Sequence, residues 1–91
     1  MTDVTTGNDI RPWFVYLLEC VDGTTYIGVT TDVERRVREH NKGRGARYTR
    51  GRRPVHVLGT IQCATHGDAL RRELQLKTLA PKARRQAFAT E

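Results

Sequence analysis

The stretch Trp13–Thr30, WFVYLLECVDGTTYIGVT, decides the fold. Its first part, Trp13–Cys20, is almost continuously apolar, aromatic and β-branched. That pattern predicts a strand covered on both faces, and so the central strand of its sheet. Asp22-Gly23 is a hairpin turn signal, because the glycine accepts the positive φ that a tight turn needs. Thr25–Thr30 then returns as a second, antiparallel strand.

Working outward, Thr31 and Glu34 fit a capping box, with Thr31 as N-cap and Glu34 reaching back. This predicts a helix from about Asp32 to Asn41 that stops before Gly43. Lys42–Pro54, KGRGARYTRGRRP, reads as a Gly/Arg-rich loop, and Val55–Cys63 as a third strand. Thr65 and Asp68 form a second capping box, opening a helix that runs to about Leu79. Pro81 suits the first turn of a last short helix over about Pro81–Ala87. The expected fold class is α+β: a small three-stranded antiparallel sheet flanked by helices, in the order β-β-α-β-α-α. Residues 1–11 read as a polar lead-in, 12–88 as one domain and 89–91 as a tail.

The chain has 91 residues and 37% hydrophobic content, enough for one small core. No apolar run is long enough to span a membrane and no leader pattern opens the chain, so the expected location is the cytoplasm. Cys20 and Cys63 lie inside strand-like runs without Cys/His ligand spacing, and read as small buried hydrophobes. The net charge is +6, unevenly spread. Between Arg35 and Arg53 nine basic residues face one acid, Glu39. Such a cluster either solubilises a loop and a helix face or meets a polyanion. Its density favours a polyanion, nucleic acid first. A membrane surface fits less well, because no large apolar face accompanies the charge.

Helical phase separates residues that are neighbours in sequence. At about 100° per residue, Val33, Val37, Arg36 and His40 share one arc, while Arg35, Arg38 and Glu39 fall opposite. Arg36 and His40 either snorkel at the rim of the apolar stripe or bind an anion there. In the second helix Leu70, Leu74, Leu76, Ala69 and Ala80 form the apolar face, with Glu73 and Lys77 inside its arc. These two either pair at i,i+4 or present a carboxylate to a metal ion. Tyr16 and Tyr26 stand on one side of their strands, Tyr26 together with Gly28. A strand glycine asks for a reason, usually the close approach of a backbone or a ligand.

At this point the residues resemble a known pattern. Phe14-Val15-Tyr16, then Tyr26-Ile27-Gly28, Arg36, His40 and a late helical Glu73 are similar to the GIY-YIG nuclease superfamily. The GARYTRGRRP and ALRRE segments resemble its small single-domain bacterial branch, near the nuclease domains of structure-specific endonucleases. Phe14-Val15 departs from the Gly-Ile of the name-giving motif, at positions that shape the strand rather than carry chemistry. The resemblance implies a metal-dependent endonuclease that hydrolyses phosphodiester bonds. Tyr16, Tyr26, Arg36, His40 and Glu73 would be catalytic, with Glu73 holding one Mg²⁺ or Mn²⁺.

On this reading Tyr26 takes the proton of the attacking water, Tyr16 orients the water or Tyr26, and Arg36 stabilises charge on the phosphate. His40 would bond Tyr26 or the phosphate, and Tyr26 is the group that Arg36 and His40 are expected to meet. Lys42, Arg44, Arg47, Tyr48, Arg50, Arg52, Arg53 and Lys77 are the candidate nucleic-acid contacts. Tyr48 either stacks on an unpaired base or packs under its own loop. The expected partner is DNA, single-stranded or branched favoured and RNA open, with no membrane and no obligate protein partner. Two rival readings are a catalytically inactive nucleic-acid-binding module and an adaptor for an acidic protein.

Overall fold

The computed structural model describes residues 11–89; the expected lead-in, save Arg11, and all but the first residue of the expected tail lie outside them. The elements are β1 Trp13–Cys20, β2 Thr25–Thr30, α1 Val33–Asn41, α2 Arg47–Arg50, β3 Val55–Cys63, α3 His66–Lys77 and α4 Pro81–Ala89. The sheet order is β2-β1-β3, all antiparallel, so the apolar strand is central as expected. The β-β-α-β-α-α order holds, with one addition. A single helical turn, α2, interrupts the arginine-rich segment read as loop. One turn is too short to leave a periodic signal in sequence.

The hairpin closes as its residues dictate. Gly23 has φ 85°, and Asp22 Oδ1 accepts from the Thr24 amide at 3.1 Å and from its hydroxyl at 2.6 Å. The first capping box does not form. Asp32, not Thr31, is the N-cap, and its Oδ1 accepts from the Arg35 amide at 3.1 Å. Thr30 has already turned its hydroxyl to the Asp32 amide, 3.1 Å away, which shifts the helix start by one residue. Of the second capping box the N-cap half forms: Thr65 Oγ1 accepts from the Asp68 amide at 3.0 Å, while Asp68 Oδ1 accepts from Arg71 instead of reaching back.

Side-chain alternation puts two different cores on the two faces of β1. Val15, Leu17, Ile27 and Ile61 pack against Ala69 and Leu76 of α3 and Phe88 of α4. Tyr16, Leu18, Cys20 and Val55 form the other cluster, with Tyr26 and with Val33 and Val37 of α1 packed against it. Asn41 stitches α1 to the start of β3: its Oδ1 accepts from the Val55 amide at 2.7 Å and its Nδ2 donates to the Val55 carbonyl at 3.0 Å. Cys20 is buried and Cys63 half-buried. Among the described residues no helix is long and apolar enough to cross a membrane.

The apolar face of α3 is narrower than its leucines suggest. Ala69 and Leu76 are buried, while Leu70 is 40% and Leu74 66% exposed. The buried stripe therefore runs through positions 69, 73 and 76, with Ala69 near its centre and Glu73 about 40° to one side, still inside the covered arc. Leu74 was expected on the core face; it lies about 140° from Ala69, beyond what the sheet covers.

Candidate active site

His40 is fully buried, at 0% exposure, under α1 and against β1. Its Nε2 lies 2.9 Å from the Tyr16 hydroxyl and its Nδ1 2.8 Å from Thr49 Oγ1. The direction of this chain can be derived. Thr49 has one hydroxyl proton and donates it to the Ala46 carbonyl at 2.9 Å. Thr49 Oγ1 must then accept from His40 Nδ1–H, which leaves Nε2 bare to accept the Tyr16 proton. The order is Tyr16 O–H to His40, His40 to Thr49, Thr49 to Ala46. Thr49 is buried at 0% exposure, and its role had no signal in sequence because it sits nine residues from His40 inside the unrecognised turn α2.

Arg36 and His40 do share the inward side of α1, as phase predicted, but the group they meet is Tyr16 and not Tyr26. Burial pushes the Tyr16 phenol up to about 12, against the opposing pull of the Arg36 guanidinium beside it. Burial first, and Arg36 second, hold His40 down at about 4, so the imidazole is neutral at pH 7. The second expected position of His40, on Tyr26, is a ring contact only: centroids 5.3 Å apart, edge to face.

Gly28 is the register partner of Tyr16 across the hairpin. A methyl group there would overlap the phenol oxygen and stand 2.6 Å from Cζ. The glycine is the floor that lets the Tyr16 ring lie across β2 and reach His40. Gly45 is the matching lid, since a Cβ there would overlap His40 Nδ1 and stand 2.7 Å from its Cγ.

Glu39, expected on the opposite side of α1 from Arg36, turns back to it, and Arg36 Nη1 donates to Glu39 Oε1 at 2.8 Å. That bond is the main cause of the raised Arg36 and lowered Glu39 pKa values. Glu73 has a side chain only 16% exposed and pairs with Lys77 Nζ at 3.3 Å. Its charge also reaches Tyr16, raising the phenol slightly. The i,i+4 pair forms, and the Glu73 side chain is at the same time mostly buried. Among the described residues no three of His, Cys, Asp and Glu cluster to hold a metal ion. One carboxylate fits an octahedral Mg²⁺ or Mn²⁺ that keeps waters and takes substrate oxygens, not an ion held wholly by protein.

Tyr26 is half-buried and lines a cavity of about 260 Å³ with Thr25, Ile27, Tyr48, Lys77 and Arg84. Arg84 was not singled out in sequence. Its Nη2 donates to the Lys77 and Leu79 carbonyls at 3.2 and 3.1 Å, and its Nη1 to Thr25 Oγ1 at 3.2 Å. It thereby satisfies orphan carbonyls at the end of α3 and ties that helix to β2.

The arginine loop is not uniformly a grip. Arg52 Nε donates to Asp22 Oδ2 at 3.0 Å, Nη1 to the Tyr48 carbonyl at 2.8 Å, and its guanidinium lies 4.0 Å over the Tyr48 ring. Arg53 Nε donates to the Arg50 carbonyl at 2.9 Å. Tyr48 in turn stacks toward Tyr26 at 6.1 Å between centroids. So Arg52 and Tyr48 hold the loop on the hairpin, and Arg53 ties its end to the Arg50 and Asn41 carbonyls. Among the described residues, Lys42, Arg44, Arg47 and Arg50 have no carboxylate within ion-pair distance and remain the outward cations.

A strand tyrosine bonded to a helix histidine, an arginine one helical turn earlier and an inward glutamate on the next long helix define a class. The model of the GIY-YIG catalytic domain matches residues 12–86, and the chain belongs to that family. More narrowly, it is similar to the small UPF0213 proteins. One from Cupriavidus necator is 47% identical, covering 87% of this chain and 85% of that protein. One from Halobacterium salinarum is 52% identical, covering 81% of this chain and 95% of the other. Two solution NMR structures share the fold. The UPF0213 protein of Bacillus halodurans is 40% identical with a TM-score of 0.55, covering 88% of this chain and 85% of that one. A protein of E. faecalis is 39% identical with a TM-score of 0.62, over the same shares.

Proposed function

We propose that this protein is a metal-dependent endonuclease that hydrolyses DNA phosphodiester bonds, with single-stranded or branched DNA favoured. The observation that carries the reading is the buried chain Tyr16–His40–Thr49 with Arg36 beside it. Fully buried polar groups give little net stability for their area, so such a chain under the arginine is better explained by chemistry.

On this reading the two tyrosines do different work. With the Tyr16 phenol near 12 and the His40 imidazole near 4, the proton stays on Tyr16. Tyr16 is then a fixed donor to His40, and the phenol oxygen of Tyr16 would orient the attacking water or Tyr26. Tyr26, open to the cavity, is the group that accepts the water's proton, and a phenolate formed there faces Lys77 and Arg84. Arg36 would bind a phosphate oxygen and stabilise the charge that grows on it. Glu73 would hold Mg²⁺ or Mn²⁺, which when bound supplies Lewis-acid stabilisation of the phosphate and of the departing oxygen. Lys42, Arg44, Arg47 and Arg50 would contact backbone phosphates with little base readout.

The test is a cleavage panel over single-stranded, branched, nicked and duplex DNA and RNA, with Mg²⁺ or Mn²⁺. Cleavage of at least one DNA form is expected, and Arg36→Ala and Glu73→Ala should each lower kcat by about 10²–10³-fold. Binding without turnover on every substrate would make the protein an inactive binding module. Full metal-dependent activity in Glu73→Ala would remove the metal assignment.

A further inference from the structure

The outer side of α1 is a groove, not only a solvated face. Arg35, Arg36, Arg38, Glu39, Lys42 and Arg44 line a cavity of about 390 Å³. Five of the six are cations, and the one carboxylate is engaged by Arg36 at 2.8 Å. Among the described residues no carboxylate lies within ion-pair distance of Arg35, Arg38, Lys42 or Arg44. The groove therefore carries uncompensated positive charge in a concave space, where field lines concentrate.

Arg35, Arg38 and Lys42 recur at i, i+3 and i+7. They form one stripe spanning about 10 Å of helix rise. A duplex strand offers one phosphate per about 3.4 Å of axis, so the stripe matches about three consecutive phosphates. Arg36 belongs to both places: it stands beside Tyr16 on the inner side and lines this groove on the outer. The groove also lacks what a protein partner would use. Of the exposed large apolar side chains Val21, Tyr48, Val57, Leu58, Leu70 and Leu74, none lines it, so it offers no hydrophobic anchor.

We propose that this groove is a phosphate track. It would hold the nucleic-acid strand next to the scissile phosphate, with Arg35 and Arg38 as strand-binding residues. The inference rests on the nuclease reading for the position of the scissile phosphate, and on the groove alone for the binding of consecutive phosphates.

Binding separates the two. Association with a fluorescent single-stranded and a duplex oligonucleotide is measured in EDTA, where no metal-dependent cleavage occurs, over a range of salt. In the double variant Arg35→Gln/Arg38→Gln the slope of log K against log salt should shrink by about 1.4 for single strands or about 1.8 for duplex. Both side chains are exposed and unpaired, so folding is not at stake, and unchanged circular dichroism checks this. Arg71→Gln, on α3, should leave the slope unchanged. An unchanged slope in the double variant overturns the track. So would loss of binding to polyglutamate with retained binding to the oligonucleotides, which would make the groove a protein-docking surface. A wild-type protein that binds with the expected slope but never cleaves would sink the nuclease reading and leave the track standing.

Discussion

On one face of the sheet, Val15, Leu17, Ile27 and Ile61 pack with Ala69 and Leu76 of α3 and Phe88 of α4. On the other, the same strand presents Tyr16 to His40 and, through it, to Thr49, all at 1% exposure or less. Both faces are dry. The first is stabilised by burial, about 1.5–3 kcal/mol for each large side chain. The second gains only about 0.5–1.5 kcal/mol net from each hydrogen bond, yet breaking one strands a buried polar atom. The comparison teaches that the stability of this small domain resides mainly under α3 and α4, while the face under α1 gives up stability for a placed set of polar groups.

Paired truncations on the two faces test that division. Leu17→Ala should cost about 2–5 kcal/mol in urea unfolding and leave the remaining folded protein active. Tyr16→Phe should cost less, about 1–3 kcal/mol, because it leaves His40 Nε2 without its donor. Its larger effect should be on turnover. If Tyr16→Phe is as costly to stability as Leu17→Ala and spares activity, the two faces are alike and the comparison fails.

Acid sharpens it further. His40 holds its proton only below about 4 in the fold, whereas an unfolded histidine does so below about 6.5. Between those values the unfolded chain binds a proton that the native state refuses. The contribution is therefore complete above about pH 6.5 and is lost as pH falls toward 4, on the order of 3 kcal/mol over the window. Chemical denaturation as a function of pH should show it. His40→Gln should flatten the dependence in that window and leave the carboxylate-driven loss at lower pH in place. Equal slopes for both proteins would mean that His40 is not shielded as the structure shows.

The smallest effect is expected on the loop. Arg52→Ala removes an exposed pair with Asp22 and the cover over Tyr48, and should change stability by about 0–1 kcal/mol. It should instead loosen Lys42–Pro54, read as faster amide exchange at Tyr48 and Thr49. A slope of binding against salt reduced as much as in Arg44→Gln would show that Arg52 grips substrate after all.

The hairpin, the central place of Trp13–Cys20 and the second cap were legible in the chain, because each follows from residues within a few positions of one another. Phase on α1 also chose Arg36 over Arg35 and paired it with His40, since a single regular helix carries its own angular ruler. Legibility stopped where two elements had to be placed against each other. Tyr16 and Tyr26 look equivalent in sequence, and only the packing of α1 across β1 decided that His40 bonds the first. The exposure of Leu74, the burial of Glu73 and the turn of Glu39 back to Arg36 also depend on which part of each helix its neighbours cover. Arg52 and Arg53 read as free cations until the fold set Asp22, Tyr48 and the Arg50 carbonyl beside them. Local propensity and periodicity are written in covalent neighbours; the partner of a buried polar group is chosen by distance in space, and that distance exists only once the sheet and helices have closed.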